Sequence, residues 1–352
     1  MTEKLRRFSL TAYQAPLCET IIDCPEPNGT EVLVRIERCG VCHSDLHMQD
    51  GFFALGDSKT LDVREGRTLP FTLGHEIAGV VERAGPDAAV KPGAKVAVYP
   101  WIGCGQCAAC KAGEENLCNK NRHLGVSADG GFASHVLVPH PRYLIDYAPL
   151  PAAFAGALMC SGLTAYSALK RLQAHAARGP ALLVGLGGVG MMGLSIAKVL
   201  FPHAPLVADI DAGKRDAALK AGAAAAFDPA DREARRAVIK ATGGGVFAAC
   251  DFVGSEKSLA FAAGALAKGG KIAVTGLLGG AFPLAATMFV LKAMTVEGTL
   301  TGTLQEACEL MALAREGRIS ALPIEERQLA AAQQSLDDLR AGRVVGRVSL
   351  VA

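Results

Sequence analysis

The sequence predicts an α/β protein that combines a doubly wound parallel sheet with a second, mostly-β domain. From about residue 155 onward, helical and strand patterns alternate along the chain, which is the signature of a parallel sheet covered by helices. The preceding residues instead read as short strands separated by turns rich in glycine and proline. We therefore expect a mostly-β domain made of residues 1–155 and 301–352, and an α/β domain made of residues 156–300.

Three stretches predict the strands of the mostly-β domain. EVLVRIERCG alternates apolar and polar residues, as a half-buried strand does. IAGVVERAGPDAAVKPGAKVAVYP predicts two strands joined by turns, and GGFASHVLVPHPRYLI predicts a further strand pair. We expect these strands to form a twisted, barrel-like core.

The α/β domain is predicted to begin with a helix and then to alternate. Its segments are GALMCSGLTAYSALKRL (helix), ALLVGLGGVG (strand and turn), MMGLSIAKVL (helix), PLVADID (strand), AGKRDAALKAG (helix), VFAACDFVG (strand), EKSLAFAAGALAKGG (helix) and KIAVTGL (strand). The four alanines at 223–226 are expected to join a helix to a strand. After residue 300, the pattern predicts two helices, LQEACELMALAREG and AAAQQSLDDLRAG, followed by the strand VGRVSLV.

Charge and hydropathy exclude several classes of function. The net charge is +2, from 36 basic and 34 acidic residues, and no block of like charge favours nucleic acid or a membrane surface. The opening residues MTEKLRRFSLTAYQ lack the apolar segment of a secretory signal. No run approaches the roughly 20 apolar residues that span a bilayer. We expect a cytoplasmic protein with neither a nucleic-acid nor a membrane partner.

A glycine-rich turn predicts a dinucleotide site. The buried strand ALLV runs into G-x-G-x-x-G and then a helix, which is the required context for pyrophosphate binding at a helix N-terminus. The residues of this turn are Gly185, Gly187, Gly188, Val189 and Gly190. Asp209 ends the next strand, where it can bind ribose hydroxyls and repel a 2′-phosphate, and no arginine follows it immediately. This favours NAD over NADP; the alternative is a tight turn without a ligand.

Four of the eleven cysteines predict a closed zinc site. Cys104, Cys107, Cys110 and Cys118 are spaced C-x2-C-x2-C-x7-C within one loop. Four thiolates fill a tetrahedral zinc site completely, so such a site is structural. The alternative is a set of free thiols.

A second, dispersed set of residues has the chemistry of a catalytic zinc site. Cys42 lies in CGVCHSDLH, His75 in GHE and Cys160 in MCSGLTAY. Two thiolates and a neutral imidazole would bind Zn²⁺ without net charge and leave a fourth position open. Spacing alone cannot assemble these three residues, and each of them, taken singly, is also explained by core packing.

The order of the motifs resembles one known family over nearly the whole chain. GVCHSDLH, LGHE, GCGQCAACKAGEENLC, CSGLTAY, GLGGVG, VADID and VVGRV together resemble the zinc-dependent medium-chain alcohol dehydrogenases. That family is itself a standard example of a Cys₂His catalytic zinc site. The resemblance implies a GroES-like catalytic domain, a Rossmann NAD-binding domain, and two zinc ions per subunit, one catalytic and one structural.

The resemblance also implies the roles of individual residues. Cys42, His75 and Cys160 would bind the catalytic zinc, and the four clustered cysteines would bind the structural zinc. Glu76 matches a carboxylate that approaches the metal, and Asp45 matches the residue that orients the histidine ligand. Ser44 and His47 match a proton relay that runs through the nicotinamide ribose to water.

Further residues match cofactor contacts of the family. His43 and Arg347 correspond to residues at the pyrophosphate, Thr164 to one beside the nicotinamide, and Lys214 to one beside the adenosine ribose. Val253 and Leu277 are expected near the nicotinamide. A solvated helix lysine explains Lys214 about as well, and core packing explains Val253 and Leu277 equally well.

The implied reaction is the reversible oxidation of a primary or secondary alcohol to an aldehyde or ketone, with hydride transfer to NAD. The partner is a small-molecule alcohol, aldehyde or ketone, and the resemblance suggests a homodimer or homotetramer joined near residues 295–301. One alternative is a polyol dehydrogenase of the same superfamily, which typically lacks a cysteine at the position of Cys160. Others are a zinc-free quinone reductase, disfavoured by both cysteine clusters, and a catalytically silent NAD- and zinc-binding protein.

Three features depart from the family pattern or lack a role. The insertion at 49–73 is hypothesised to form a lip, centred on 54–66, that favours alcohols larger than ethanol; a solvent-exposed elaboration is the alternative. Trp101 stands where the family often lines its pocket, although packing explains it nearly as well. The remaining cysteines, Cys18, Cys24, Cys39, Cys250 and Cys308, are expected to be buried.

Overall fold

The computed structural model describes residues 4–352 and divides the chain into two compact units. The first unit comprises the described residues through Phe52, together with Asp62–Cys160 and Thr303–Ala352. The second comprises Phe53–Leu61 and Ser161–Gly302. The chain therefore crosses between units at 52/53, 61/62, 160/161 and 302/303. The sequence predicted crossings at 155/156 and 300/301. The assignment of residues 53–61 to the second unit was not foreseen.

The elements have the following bounds. The strands are β1 (Lys4–Leu10), β2 (Cys18–Asp23), β3 (Val32–Gly40), β4 (Phe52–Gly56), β5 (Lys59–Asp62), β6 (Phe71–Thr72), β7 (Glu76–Ala84), β8 (Lys95–Val98), β9 (His135–Val138), β10 (Leu144–Asp146), β11 (Leu182–Val184), β12 (Leu206–Ala208), β13 (Ala225–Phe227), β14 (Val246–Asp251), β15 (Leu266–Val274), β16 (Thr295–Gly298), β17 (Ile324–Gln328) and β18 (Arg347–Val351).

The helices are α1 (His43–Asp50), α2 (Ala108–Lys111), α3 (Ala152–Ala157), α4 (Leu163–Lys170), α5 (Gln173–Ala176), α6 (Gly188–Leu200), α7 (Ala212–Lys220), α8 (Ala234–Ala241), α9 (Glu256–Ala265), α10 (Ala286–Lys292), α11 (Leu304–Arg315) and α12 (Ala332–Arg340). A π-helical turn at Leu158–Gly162 joins α3 to α4. Short 3₁₀ turns lie at Glu115–Leu117, Pro141–Tyr143 and Leu329–Ala331.

The first unit is built on a seven-stranded sheet with the order β10-β8-β7-β3-β18-β17, in which β9 also pairs with β3. β3 is antiparallel to β7, β9 and β18, and only the pairing of β17 with β18 in this sheet is parallel among the described residues. A separate sheet has the order β2-β1-β6. EVLVRIERCG correctly predicted the strand β3, but not its half-burial, because Val32, Leu33 and Val34 are all buried.

The sequence predicted that GGFASHVLVPHPRYLI forms two strands that pair with each other, and this pairing is wrong. β9 and β10 both exist, but β9 pairs with β3 and β10 pairs with β8. Pro141 begins a 3₁₀ turn between them, which redirects the chain instead of closing a hairpin.

The second unit contains a six-stranded sheet with the order β13-β12-β11-β14-β15-β16, and every neighbouring pair is parallel. This confirms the predicted doubly wound parallel sheet. Numbered along the unit, the strand order is 3-2-1-4-5-6, so the winding reverses between β11 and β14. Such a switch point is where open α/β sheets bind their ligands, beyond the carboxyl ends of the strands.

The insertion at 49–73 contains the paired strands β4 and β5. Its turn uses left-handed backbone at Gly56, Asp57 and Ser58. A Cβ added at Gly56 would collide with Ala281, and one added at Gly279 would collide with Ala54. The hairpin therefore packs closely against the segment that follows β15 in the second unit.

The sequence led us to expect no segment of membrane-spanning length, but one helical stretch reaches that length. Ala152–Lys170, formed by α3, the π-helical turn and α4, is long and apolar enough by length and composition alone. However, 89% of its most apolar window is buried inside the protein, as in the core helix of a globular domain.

The expectation that all cysteines without an assigned role are buried is wrong for two of them. Cys24, Cys39 and Cys250 are buried as expected, but Cys18 and Cys308 are exposed.

Candidate metal centres and nucleotide-binding loop

Cys42, His75 and Cys160 come together in the first unit with the side chain of Glu76. One ligand atom from each of the four residues lies within 4.8 Å of the others. The two sulfur atoms are 4.0 Å apart. His75 is fully buried, and Cys42 and Cys160 are 9% and 6% exposed. The fold thus assembles the dispersed donors that spacing alone could not bring together.

Each of the three donors sits at a special point of the backbone. Cys42 is the N-cap of α1. His75 precedes β7 and follows Gly74, whose φ of +92° is in the left-handed region that favours glycine. Cys160 lies in the π-helical turn, a distortion that is frequent at functional sites. The helix N-cap, the left-handed glycine and the π-helical turn together bring the three side chains into the same cluster.

Asp45 holds the cluster from the side of α1. Its fully buried carboxylate accepts the backbone N–H of Cys42 at 2.9 Å and that of Gly74 at 3.2 Å. It also lies 3.3 Å from Nδ1 of His75, within ion-pair distance but without hydrogen-bond geometry. With Nδ1 turned to Asp45, Nε2 is the nitrogen left for a metal, and it is buried with no hydrogen-bond partner among the described residues.

The electrostatics of this cluster favour a bound cation. Burial opposes a charged imidazole, but the negative charges of Asp45 and Cys42 outweigh it and raise the pKa of His75. A hydrogen bond from Cys160, followed by the effect of His75, lowers the pKa of the Cys42 thiol despite its burial. Thiolate and imidazole donors are the ligands that zinc prefers, so the residues present fit this metal.

Glu76 and Arg347 form a buried ion pair beside the cluster. Burial, followed by the nearby Cys42, raises the pKa of Glu76 to about 7, while Arg347 opposes this shift. The second carboxylate oxygen of Glu76 is buried and has no hydrogen-bond partner within residues 4–352. It lies over Gly40, where an added Cβ would overlap it. Arg347, predicted at the cofactor pyrophosphate, is thus engaged with Glu76 here.

The predicted relay residues lie on α1. Ser44 and His47 are three residues apart and therefore on one side of the helix. Both are partly exposed, as a route to water requires. Burial, followed by the charge of His43, lowers the pKa of His47, so its ring is neutral and able to accept a proton near pH 7. His43 itself is exposed.

The four clustered cysteines also converge, in the loop that contains α2. Their sulfur atoms lie within 4.8 Å of one another. Backbone N–H groups of Gln106 and Cys107 lower the pKa of Cys104 to about 6, and that of Cys110 lowers the pKa of Cys107. Burial raises the pKa of Cys110 to about 12. Four sulfur donors with supporting backbone N–H groups fit a closed zinc site.

The glycine-rich turn lies at the switch point of the second unit. Gly185 follows β11 with φ of +90°, and a Cβ there would collide with Val253. A Cβ at Gly190 would overlap the carbonyl oxygen of Gly185, so helix α6 approaches the strand closely. Gly187, the N-cap of α6, instead faces open space and is exposed. The turn therefore has room for a phosphate at the helix N-terminus.

Asp209 follows β12 and is tied to this turn. One carboxylate oxygen accepts the N–H of Leu186 at 2.6 Å, and the other accepts the N–H of Asp211 at 2.9 Å. These bonds fix the carboxylate beside the glycine-rich turn. Each carboxylate oxygen retains a further lone pair for a ribose hydroxyl.

The other predicted cofactor residues are more scattered. Thr164 is buried in α4, Lys214 is exposed on α7, and Leu277 is 48% exposed after β15. Val253 contacts the glycine-rich turn, as the position of Gly185 indicates. Lys214 shows no distinguishing environment.

Sequence reasoning missed three supporting residues. Asp251 is fully buried and accepts the N–H groups of Val253 and Gly254, which positions the loop after β14. Glu115 is buried in the four-cysteine loop, and His123 packs edge-on against Trp101. The only signal for Glu115 was a carboxylate within a metal-binding motif, and neither Asp251 nor His123 stands in a recognisable pattern.

Comparison with known proteins agrees with this geometry. Residues 28–149 match the family described as alcohol dehydrogenase GroES-like domain, and residues 188–316 match zinc-binding dehydrogenase. An NAD-dependent alcohol dehydrogenase of Sulfurisphaera tokodaii is 35% identical over 349 residues, which cover 99% of this chain and 100% of the relative. A D-arabinose 1-dehydrogenase (NADP(+)) of Saccharolobus solfataricus is 30% identical and covers 98% of this chain and 97% of its own.

Among solved structures, the alcohol dehydrogenase of Aeropyrum pernix has a TM-score of 0.88 at 30% identity, covering 99% of this chain and 100% of its own. The similarity thus extends over both units and not over one domain alone. The chain therefore belongs to the zinc-dependent medium-chain alcohol dehydrogenase family.

Proposed function

We propose that this dehydrogenase catalyses the reversible oxidation of primary or secondary alcohols to aldehydes or ketones with NAD, at a zinc ion held by Cys42, His75 and Cys160. The observation that carries this proposal is the convergence of these three buried donors within 4.8 Å. When bound, the zinc supplies Lewis acidity that polarises the alcohol oxygen, and NAD accepts the hydride. The full-length similarity to an NAD-dependent alcohol dehydrogenase supports the same reaction.

The residues around the cluster prepare it for this reaction. Asp45 orients the imidazole of His75 so that Nε2 faces the metal position. Two thiolates and a neutral imidazole balance the charge of Zn²⁺, so the metal keeps its electrophilic character. Glu76, whose pKa is raised to about 7, holds a carboxylate beside the donors and is balanced by Arg347.

We assign the movement of the alcohol proton to α1. The hydroxyl of Ser44 accepts the proton as it gives up its own toward the ring of His47, and His47 passes a proton to water. The lowered pKa of His47 supports this role because burial disfavours the protonated ring and leaves a nitrogen lone pair available for a proton.

We propose that NAD, and not NADP, binds at the glycine-rich turn of the second unit. The N-terminus of α6 holds the pyrophosphate, and Asp209 accepts the ribose hydroxyls while repelling a 2′-phosphate. Because a relative named D-arabinose 1-dehydrogenase (NADP(+)) uses the other cofactor, the choice between NAD and NADP must be tested directly.

The four-cysteine loop is assigned a second, structural zinc, which gives two zinc ions per subunit. The presence of Cys160 in the donor cluster favours an alcohol dehydrogenase over a polyol dehydrogenase. We place the protein in the cytoplasm, as its clustered free cysteines suggest.

We further propose that the protein is a homodimer or homotetramer joined at the edge of the six-stranded sheet. β16 is an edge strand, and helix α10 buries none of its residues within the chain. Val290, Leu291 and Leu300 are 79%, 62% and 52% exposed, which is unusual for a cluster of large apolar residues. A Val290→Asp and Leu291→Asp variant should sediment as a smaller species; unchanged sedimentation would contradict this interface.

The reaction is tested with the zinc-loaded protein and a panel of primary, secondary, cyclic and aromatic alcohols, each with NAD⁺ and NADP⁺. We expect reduction of NAD⁺, and a preference for bulky alcohols if the hairpin at 52–62 forms the hypothesised lip. Deletion of residues 54–66 should then lower that preference. Turnover with NADP⁺ only would refute the cofactor assignment, and no turnover with any alcohol would refute the reaction.

A further inference from the structure

Trp101 touches the backbone that carries one of the candidate zinc ligands. Its indole N–H donates to the carbonyl oxygen of Met159 at 2.9 Å, and the bond is buried. The carbonyl carbon of Met159 is bonded to the backbone nitrogen of Cys160, so this hydrogen bond restrains the position of the ligand. The restraint acts within the π-helical turn, where the regular helical ladder is interrupted.

The same side chain packs against a second candidate ligand. The rings of Trp101 and His75 have centroids 5.4 Å apart with an interplanar angle of 53°. Asp45 lies 3.3 Å from the Nδ1 atom of His75. The imidazole is therefore flanked by a carboxylate and by the indole ring. Asp45 contacts Cys42 and His75, whereas Trp101 contacts His75 and the backbone that leads into Cys160.

Trp101 is in turn supported by the four-cysteine loop and by the residues that follow it. The ring of His123 meets the indole edge-on at 5.4 Å. The backbone around His123 pairs with that around Trp101 through Arg122 N–H to Ile102 O at 2.8 Å. From within the loop, the buried carboxylate of Glu115 accepts the N–H of Gly103 at 3.0 Å, which fixes the chain two residues after Trp101.

We propose that Trp101 is a positioning residue of the catalytic zinc site, and that through it the four-cysteine loop helps to set the geometry of that site. This inference rests on the zinc site proposed above. It gives the loop a role beyond holding its own residues together. Any buried indole N–H needs an acceptor; what carries the inference is that this acceptor belongs to the turn that bears Cys160.

The test replaces zinc by cobalt in the full-length protein and compares the wild type with Trp101→Phe. Phe keeps an aromatic ring but removes the donor. We expect the visible cobalt bands of the catalytic site to shift in Trp101→Phe. We also expect the affinity of this site for cobalt, measured against a competing chelator, to fall about tenfold, which is the lower end of the range for residues that orient metal ligands. Subtracting the spectrum of Cys160→Ser protein isolates the catalytic site.

A second replacement removes the donor alone. Because Trp101 is the only tryptophan, a tryptophan-auxotrophic host can replace this residue by its benzothienyl analogue, in which sulfur takes the place of the N–H group. This analogue should reproduce the shift seen with Trp101→Phe. Tyr147→Phe is the matched control, because it removes another buried donor, the hydroxyl bonded to Glu37 at 2.9 Å. It should lower thermal stability without changing the cobalt bands.

The outcomes separate this inference from the proposed function. Unchanged bands and unchanged cobalt retention in both Trp101 replacements would overturn the positioning role alone, since the site itself would still be occupied. No catalytic-site cobalt spectrum in the wild type would overturn the metal site and the inference together. Equal shifts in Tyr147→Phe would attribute the effect to general loosening and would also overturn the inference.

Discussion

The four-cysteine loop takes all its donors from residues 104–118, whereas Cys42 and Cys160 of the other cluster lie 118 residues apart in sequence. In the loop, Cys104, Cys107 and Cys110 are partly exposed and Cys118 is buried, and backbone N–H groups of the same loop support Cys104 and Cys107. The dispersed cluster is buried and surrounded by the charges of Asp45, Glu76 and Arg347.

This difference shows how one protein prepares the same metal for two tasks. A loop that supplies four thiolates satisfies zinc fully and needs little help from the rest of the fold. A site that must leave one position open has fewer donors, so the surrounding fold must hold each of them in place. The dispersed site therefore depends on buried residues that never touch the metal, such as Asp45.

The largest expected effect is a loss of turnover when the dispersed cluster, and not the four-cysteine loop, loses a ligand. Cys160→Ser should lower turnover about 1,000-fold or more, equivalent to about 4 kcal/mol of lost transition-state stabilisation, because the metal loses a ligand. Thermal stability should also fall, because the lost zinc no longer stabilises the folded state, so turnover is compared below the unfolding transition. Cys308→Ser is the control, since Cys308 is exposed and lies outside both clusters. Comparable turnover in the two variants, measured as NADH formation, would contradict the catalytic assignment.

The second effect is on stability. Cys110→Ser should remove the metal of the four-cysteine loop and lower the free energy of unfolding by about 4 kcal/mol, the contribution of a ligand present at about 1,000 times its Kd. Turnover of the protein that remains folded should fall by less than about tenfold. Denaturant unfolding and steady-state rates below the transition measure both. Loss of activity as complete as in Cys160→Ser would erase the distinction between the clusters.

The third effect tests the support that only the dispersed cluster has. Asp45→Asn should weaken zinc binding about 10- to 100-fold, because the amide orients His75 without a compensating charge. Asp50→Asn is a matched control at the end of the same helix, where the carboxylate pairs with Arg340 at the surface. Chelator competition gives the two affinities. An equal affinity loss in Asp50→Asn would mean that helix α1, and not the carboxylate, is responsible.

The smallest effect concerns acid stability beside Trp101. Burial lowers the pKa of His123 to about 4, so the unfolded chain binds a proton between about pH 6.5 and pH 4 that the folded chain does not. This group therefore costs stability as pH falls below about 6.5, on the order of 2 kcal/mol at pH 5. His123→Phe should lose less stability than the wild type between pH 7 and pH 5. Parallel melting curves would contradict the assignment.

The features predicted from sequence are those that local spacing encodes. The glycines at 185–190 and the four cysteines at 104–118 are contiguous patterns, and the structure places each in the expected turn or loop. The parallel sheet also followed from alternation, because each βα unit packs on its neighbour. The insertion was recognised as a departure, but its paired strands were not foreseen, since their packing against Gly279 depends on a distant segment.

The remaining features depend on three-dimensional packing. Nothing in the sequence places the indole N–H of Trp101 against Met159, or Arg347 against Glu76, because these contacts join strands and turns far apart in the chain. The burial expected for Cys18 was wrong for the same reason: every residue of β2 is at least partly exposed, so an apolar neighbourhood in sequence gave no information about solvent.

The most direct test of the central claim is to count zinc in the wild type, Cys160→Ser and Cys110→Ser, purified side by side and assayed for NAD⁺ reduction. The account predicts two zinc ions per chain in the wild type and one in each variant, with turnover retained only where the Cys42, His75 and Cys160 site keeps its metal. A Cys160→Ser protein that loses one zinc yet oxidises alcohols at the wild-type rate would contradict the assignment of the catalytic site.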